Sequence, residues 1–265
     1  RGPRSKDASR MSSTIAPAWG LALRSLRNIR RLPSAFVPAL MMPLVQVIAF
    51  SGTFAGITVV QGFPTDRSVN WYLPLAVTMG SSFAGLGTGF AMIRDLQSGF
   101  YDRLRMSPAG RRSLLLGPFI AAWARALIAV VLVLIVGVTL GARPTSWVAI
   151  PSLIAVGLGT ATLGTGWGIG LAYRFGDMRA AAIMQLTLFL GLFLTDAQTP
   201  IDVMRGWLVP VATVNPLSRV LALARQGFID DGASWATTIW GLITLIAVST
   251  ATGMFAMAGL RHLDD

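Results

Sequence analysis

Long apolar runs alternate with short polar segments along the whole chain. About 20 apolar residues are needed to cross the hydrocarbon core of a bilayer, and most of the runs have that length. The pattern predicts six spans, at about 36–57, 71–93, 113–140, 147–172, 181–194 and 235–260. The predicted fold class is therefore an all-α polytopic membrane protein with six transmembrane helices in a domain over residues 34–260.

The amino-terminal segment divides into two parts. Residues 1–18 are polar and basic and are expected to be a disordered tail, in which Met11 is an alternative start. Residues 19–33 predict an amphipathic helix in the membrane interface, because apolar and basic side chains fall on opposite faces and can contact lipid tails and headgroups. The two faces consist of Trp19, Leu23 and Leu26, and of Arg24, Arg27 and Arg31.

The polar segment 94–112 lies between the second and third predicted spans. Leu96, Phe100 and Leu104 are four residues apart, so on one helix through Gly99 they form an apolar stripe, and Pro108 then ends the helix. Such a stripe predicts docking to a partner, although a solvated loop between spans fits the composition equally well. The polar residues around the stripe are Asp95, Asp102, Arg103 and Arg105.

A second unusual tract, residues 196–232, is neither a span nor a free loop. It predicts two short amphipathic helices, at 200–211 and 216–227, on the outer face of the membrane. The hinge between them is expected at Asn215-Pro216, because the residue before a proline is disfavoured in the helical region.

Two residues within the spans are candidates for the translocation path. Arg125 is the one charge well inside an apolar run, and Gln46 lies inside the first span. A charge in a membrane helix is a functional candidate that faces protein or water, but a side chain that snorkels to the headgroups explains Arg125 equally well.

Charge distribution predicts the orientation. The chain has a net charge of +11, no cysteine, 54% hydrophobic and 12% charged residues. The basic residues fall in short loops, which argues against nucleic-acid binding. It indicates instead that these charges determine how the chain is oriented in the membrane. With both termini cytosolic, the inner segments, including the tail 261–265, hold sixteen Lys or Arg against six Asp, and the outer segments hold five against five.

Motifs for catalysis or metal binding are missing from the sequence. It contains no G-x-x-x-x-G-K-[ST] phosphate loop and no H-E-x-x-H, and its single histidine is His262 near the carboxyl end. We therefore predict no catalytic residue, no metal site and no cofactor in this chain. An ion-coupled carrier usually needs several ionisable groups near mid-membrane, which the spans do not offer.

The polar motifs resemble those of a known family. Asp95, Gly99, Asp102-Arg103-Leu104-Arg105 and Pro108 resemble the hallmark loop of ABC-2 type transporter permeases, in detail those of the daunorubicin-resistance branch. Trp207-Leu208 followed by Asn215-Pro216-Leu217 is similar to the outer hairpin of that family. One departure is that the family often has Glu in the loop, whereas this chain has only Asp.

The resemblance implies a permease subunit of an ATP-driven exporter. ATP and Mg²⁺ are then expected in two copies of a separate ATPase, coupled through the polar segment, with a second permease chain that is identical or paralogous. The cargo would be an amphipathic drug, lipid or glycolipid, bound between the second and fifth spans, and a role in antibiotic resistance fits this class. Lys6 is the only lysine, and this Arg-rich usage favours a GC-rich bacterial genome. The expected location is therefore a bacterial plasma membrane.

Two other classes stay open at the level of the sequence. One is a membrane-embedded enzyme that modifies lipid, with Arg125 and either Asp196 or Asp202 as its polar groups. The other is a carrier that works alone.

Overall fold

The fold is described by a computed structural model that covers residues 20, 33–101, 111–229 and 234–262. These residues form α-helices and a short 3₁₀ helix, Ala55–Val59, and contain no β-strand. In chain order the helices are α1 (Pro33–Thr53), α2 (Ser68–Gln97), α3 (Arg111–Thr139), α4 (Ala149–Phe175), α5 (Met178–Phe193), α6 (Leu208–Val214), α7 (Pro216–Arg225) and α8 (Trp235–His262).

Several helices have the length and apolarity of membrane spans. Within the described ranges four helical segments are long and apolar enough to cross a bilayer, namely Ser68–Gln97, Leu116–Thr139, Ala149–Phe175 and Trp235–Arg261. Two further apolar helices are shorter, Leu40–Thr53 and Met178–Phe193. The chain is thus an all-α multi-pass membrane protein, which confirms the predicted fold class at that level.

The core of the bundle is the contact between α2 and α4, which run parallel. Their backbones approach closely because the residues between them are glycines: a Cβ added to Gly85 would collide with the carbonyl oxygen of Ala161, and one added to Gly164 would collide with that of Ser82. This pattern is the small-residue packing of membrane helices.

Helix α4 packs with its other side against α8. A Cβ on Gly166 would lie 2.6 Å from the backbone of Thr252, and Ser249 Oγ donates a hydrogen bond of 3.0 Å to the Gly159 carbonyl. At the end of this contact the Arg174 guanidinium lies 3.8 Å above the ring of Phe255. Helix α4 is consequently held on two faces and forms the centre of the molecule.

Two buried hydroxyl groups of α2 bond to carbonyls of their own helix. Thr78 Oγ1 donates to the Pro74 carbonyl at 2.8 Å, and Ser82 Oγ donates to the Thr78 carbonyl at 2.7 Å. These bonds satisfy polar side chains that are buried in an apolar bundle. Serine and threonine therefore fit in a membrane helix without an external partner.

Two predicted boundaries are wrong. The first short helix of the outer tract is Leu208–Val214 and not 200–211, because the chain from Pro200 to Met204 forms turns and Gly206 takes a positive φ of 85°. Helix α1 ends at Thr53 and is followed by the 3₁₀ helix, whereas the first span was predicted to continue to residue 57.

Candidate functional site

The polar segment after α2 begins with a sharp turn. Helix α2 ends at Gln97, Gly99 N–H donates to the Leu96 carbonyl at 3.1 Å, and Gly99 adopts the left-handed conformation with φ of 65°. The backbone becomes helical again at Phe100 and Tyr101. We call this end of the bundle, where α2 ends and α3 begins, the loop end.

This turn corrects the predicted apolar stripe. A single helix would align Leu96 with Phe100, but the left-handed Gly99 separates them into two helical segments. Leu96 packs instead against the buried cluster that contains Tyr101 and Tyr173, whose rings lie 5.6 Å apart. Leu96 is therefore largely a core residue.

Many of the predicted contact residues lie outside the described part of the chain. They are the loop residues Asp102, Arg103, Leu104, Arg105 and Pro108, and the residues of the interfacial helix, Trp19, Leu23, Leu26, Arg24, Arg27 and Arg31. Their roles stay predictions. Asp95, which is described, lies half-buried in the last turn of α2.

The two candidates for the translocation path lie on different helices. Arg125 on α3 is half-buried; its Nε donates to the Ala121 carbonyl of its own helix at 3.2 Å, and its Nη1 lies beside Gly87 of α2. Gln46 on α1 is 8% exposed. Within the described residues Gln46 Oε1 accepts no hydrogen bond, and none joins Gln46 to Arg125.

The expected cargo interface between the second and fifth spans is filled by side chains. Phe83 of α2 and Phe189 of α5 have ring centroids 5.2 Å apart within a buried apolar cluster. Two apolar grooves of about 380 and 550 Å³ lie elsewhere, between α3 and α8, and share the wall residues Phe119, Thr250 and Gly253. The larger one is also lined by α4.

Asn215 organises the helical hairpin of α6 and α7. Its backbone is extended, with ψ of 121°, and its Oδ1 accepts a hydrogen bond of 2.9 Å from Leu217 N–H, which caps α7. Its Nδ2 donates to the carbonyls of Gly191 and Leu194 at 2.8 and 2.9 Å. One side chain thus joins the end of α5 to the start of α7, with Pro216 as the first residue of that helix.

Trp207 precedes α6 and is 72% exposed. Exposed tryptophans are typical of membrane–water interfaces. The hairpin lies at the end of the bundle where α2 begins, because Trp71 Nε1 donates to the Ala197 carbonyl at 3.1 Å. We call this the hairpin end.

A buried ion pair lies at the hairpin end. Arg225, at the end of α7, is 4% exposed, and Asp196, in the segment after α5, is 9% exposed. Arg225 Nη1 lies 2.6 Å from Asp196 Oδ2, and Arg225 Nη2 donates to the carbonyls of Asp196 and Ala197 at 3.0 and 3.1 Å. The guanidinium carbon lies 3.5 Å from the ring centroid of Trp71. Burial lowers the pKa of Arg225, and the Asp196 carboxylate acts against that shift.

Sequence reasoning assigned no role to Arg225 or Trp71, and considered Asp196 only for a lipid-modifying enzyme. One local signal was present: Arg225 follows the fully buried Leu221 by four residues and therefore shares its helix face. The partner 29 residues away could not be identified from that signal.

Comparison with known proteins defines the class. The family model of the ABC-2 type transporter matches residues 18–229. Since this match extends over most of the chain, the protein belongs to the ABC-2 type transporter family. Members of this family are transport subunits that pair with a separate ATP-binding subunit.

Individual relatives support this membership. The chain is similar to the daunorubicin resistance ABC transporter permease protein DrrB1 of Streptomyces coeruleorubidus, with 22% identity over 260 residues, 94% of this chain and 88% of the relative. It is also similar to the putative transport permease ycf38 of Porphyra purpurea, with 26% identity over 240 residues, 85% of this chain and 79% of the relative. The corresponding protein of Pyropia yezoensis is 25% identical over 246 residues, 88% of this chain and 82% of the relative. The resemblance that the motifs indicated is confirmed.

Proposed function

We propose that this chain is the permease subunit of an ATP-driven exporter and that its ATPase docks at the loop end. The observation that carries the proposal is the abrupt end of α2, where a left-handed Gly99 redirects the chain into a second helical segment beginning at Phe100. That segment leads into the polar residues 102–110 and lies between two membrane helices. A short polar segment that follows a sharp turn in this way suits the groove of a soluble partner.

We assign the contacts to the ATPase to this polar segment after α2. Because Leu96 packs inside the bundle, the apolar part of the docking surface is reduced to Phe100 and Leu104, which are four residues apart. Gly99 and Pro108 delimit the surface, and Asp95, Asp102, Arg103 and Arg105 supply its polar contacts. The sequence has no phosphate loop, so ATP and Mg²⁺ belong to the partner.

We assign six spans to the chain, four from the long helices and two from α1 and α5. With 16 residues, α5 is roughly 24 Å long, which is less than the hydrocarbon thickness of about 30 Å. The hairpin of α6 and α7 completes the crossing at the outer leaflet, where Asn215 joins it to the end of α5. Arg125 and Gln46 then lie within the spans and are assigned to the translocation path.

We orient the chain with the loop end in the cytosol. This choice gives the cytosolic segments sixteen basic residues, and the positive-inside tendency of membrane proteins supports it. Both termini are then cytosolic, and residues 19–33 lie along the inner surface of a bacterial plasma membrane. The hairpin end faces outward.

Two permease chains and two ATPase subunits would form the working exporter, and ATP-driven closure of the ATPases would alternate the exposure of a central path. The cargo is proposed to be amphipathic, because the interior surfaces of the bundle are apolar. The relative named for daunorubicin resistance supports a drug-like cargo, and lipids and glycolipids belong to the same chemical class.

The alternative of a lipid-modifying enzyme has less support. Asp196 is paired with Arg225 beside Trp71, whereas Arg125 lies beside Gly87, and the two sites are roughly 24 Å apart along α2. Asp202 is exposed. The three groups proposed for that reaction are therefore not assembled into one site.

Co-purification tests the proposed function. The tagged chain is extracted from its native membrane in mild detergent, stoichiometric partners are identified by mass spectrometry, and ATPase activity is assayed. We expect a subunit with a phosphate loop to co-purify with the wild-type chain and to be lost from Phe100→Asp.

The matched control is Val59→Asp, which places the same charge on an exposed residue of the opposite end, 87% exposed in the 3₁₀ helix. It should retain the ATPase. Recovery of the chain alone, without ATPase activity, would contradict the exporter function, and equal retention by Phe100→Asp would contradict the docking surface.

A further inference from the structure

Helix α2 connects the two ends of the molecule without a break. It contains 30 residues and is therefore roughly 45 Å long, the thickness of a bilayer with its headgroup regions. Its last turn reaches the segment that we assign to ATPase docking, and its first turn contacts the hairpin end. A displacement of the docking segment would therefore move the carboxyl end of a long, buried helix.

At the hairpin end three successive residues of α2, Asn70, Trp71 and Tyr72, donate hydrogen bonds to other segments of the chain. Asn70 Nδ2 donates to the carbonyls of Arg143 and Phe228 at 3.1 and 2.9 Å. Trp71 Nε1 donates to the Ala197 carbonyl at 3.1 Å, and Tyr72 Oη donates to the carbonyl of the next residue, Gln198, at 3.0 Å. The first turns of α2 are thus hydrogen-bonded mainly to the segments that flank the hairpin.

Arg225 adds a charged contact to these hydrogen bonds. Its guanidinium lies on the ring of Trp71 and is bonded to the side chain of Asp196 and to two backbone carbonyls. It thereby joins three elements: the start of α2, the end of α7 and the segment after α5. We name the set Trp71, Asp196 and Arg225 the clasp.

The clasp is costly as a purely structural contact. Asp196 Oδ1 and Arg225 Nε are buried and make no hydrogen bond within the described part of the chain. Replacement of a buried ion pair by apolar residues of similar size is often neutral or stabilising, whereas a half-satisfied pair lowers stability. Stability alone therefore does not explain why a charged pair occupies this position.

We propose that the clasp makes the helical hairpin move together with α2, so that Arg225 is a positioning residue for transport. The proposal rests on the proposed function, because it assigns to α2 the transmission of movement from the ATPase to the outer face. The pair bonds α7 to the segment after α5, while Trp71 of α2 packs on the guanidinium and donates to the Ala197 carbonyl of that same segment, so these contacts together fix the angle between α2 and α7. An apolar pair would fill the same space without fixing that angle.

Distance measurements between spin labels test this proposal, and the cysteine-free chain allows specific labelling. Labels are attached at Asp66→Cys, just before α2, and at Val214→Cys, at the end of α6; both positions are exposed. The chain is reconstituted in lipid nanodiscs, alone and in the complex trapped with ATP and vanadate. The clasp variant is Arg225→Met with Asp196→Leu.

We expect a narrow distance distribution in the labelled parent, unchanged by nucleotide, because the two labels move as one body. The clasp variant should show a broadened distribution and a shift when nucleotide is trapped, at an unchanged melting temperature. The matched control is Arg219→Met with Asp202→Leu, which removes two exposed charges; Arg219 also faces a tryptophan, Trp240, at 5.6 Å. This control should behave like the parent.

A clasp variant with the parent distribution in both states would overturn the proposal, and so would a parent distance that changes with nucleotide. If the double variant does not fold, Asp196→Asn serves instead, since it removes the charge and keeps the shape. The measurement on the chain alone needs no ATPase. Failure to recover an ATPase would therefore contradict the exporter function while the broadening test still decides on the clasp.

Discussion

Gly89 of α2 and Gly168 of α4 are in backbone contact, so close that a Cβ on Gly89 would lie 2.7 Å from the Cα of Gly168. Four residues earlier on each helix, Gly85 and Gly164 meet the opposite backbone in the same way. Backbone cannot move aside as a side chain can, so the distance between α2 and α4 is fixed by these glycines.

The first prediction is that Gly89→Ala destabilises the protein. The added methyl group has to separate two packed helices, and overpacking of this kind costs about 1–3 kcal/mol. The melting temperature of the detergent-solubilised chain should fall clearly. The control is Gly253→Ala on α8, where a Cβ meets nothing within 4 Å, and an equal fall in both variants would contradict the packing argument.

The second prediction compares two left-handed glycines at the loop end. Gly99 and Gly176 have φ of 65° and 64°, and an added Cβ would meet nothing within 4 Å at either position. Alanine should therefore lower the free energy of unfolding by about 1–2 kcal/mol at both sites, through backbone conformation alone. Only Gly99→Ala should also weaken co-purification of the ATPase, because only Gly99 sets the direction of the segment that we propose as the docking site. Equal loss of the ATPase in both variants would argue against a special role for Gly99.

Local patterns in the sequence predicted much of this architecture. Apolar runs identify the helices because hydrocarbon thickness sets their length, and glycines four residues apart identify a packing face because they fall on one side of a helix. The bend at Asn215 was predictable for the same reason, since Pro216 restricts the residue next to it.

Features that depend on a choice between two conformations or on distant partners were missed. Gly99 fits the interior of a periodic helix as well as its end, so the pattern around Leu96 and Phe100 suggested one continuous helix. The pairing of Arg225 with Asp196 depends on how three segments fold back on one another, and residue spacing contains no record of that arrangement.

The third prediction concerns Asn215. Asn215→Ala removes the cap of α7 and leaves the carbonyls of Gly191 and Leu194 without their amide donor. A lost cap costs about 0.5–2 kcal/mol, and unsatisfied carbonyls add to that cost. Asn215→Ser keeps an acceptor for the cap and lacks the amide, so its melting temperature should lie between those of wild type and Asn215→Ala. A serine variant as unstable as the alanine variant would show that the cap contributes little.

The fourth prediction decides between the two interpretations of Arg125. Its Nη1 lies beside Gly87, and within the described residues its guanidinium makes no ion pair, so it is free to bind a polar group of a cargo. If it has that role, Arg125→Leu should lower ATP-dependent uptake into inside-out vesicles about tenfold or more, because a hydrogen bond to a charged group contributes ~1.5–3 kcal/mol. Daunorubicin and a fluorescent phospholipid serve as probes.

Arg125→Lys and Arg125→Gln separate charge from hydrogen bonding in this test. A side chain that only snorkels to the headgroups needs neither the guanidinium nor its position beside Gly87, so all three variants would then transport at the parent rate. If Arg125 lines the path, the rate of uptake should instead fall in the order parent, Lys, Gln, Leu. Lysine keeps the charge, glutamine keeps a shorter polar group and leucine keeps neither. Co-purification of the ATPase has to be unchanged in all variants for this comparison to hold. Parent-like uptake of both probes by Arg125→Leu would remove Arg125 from the translocation path.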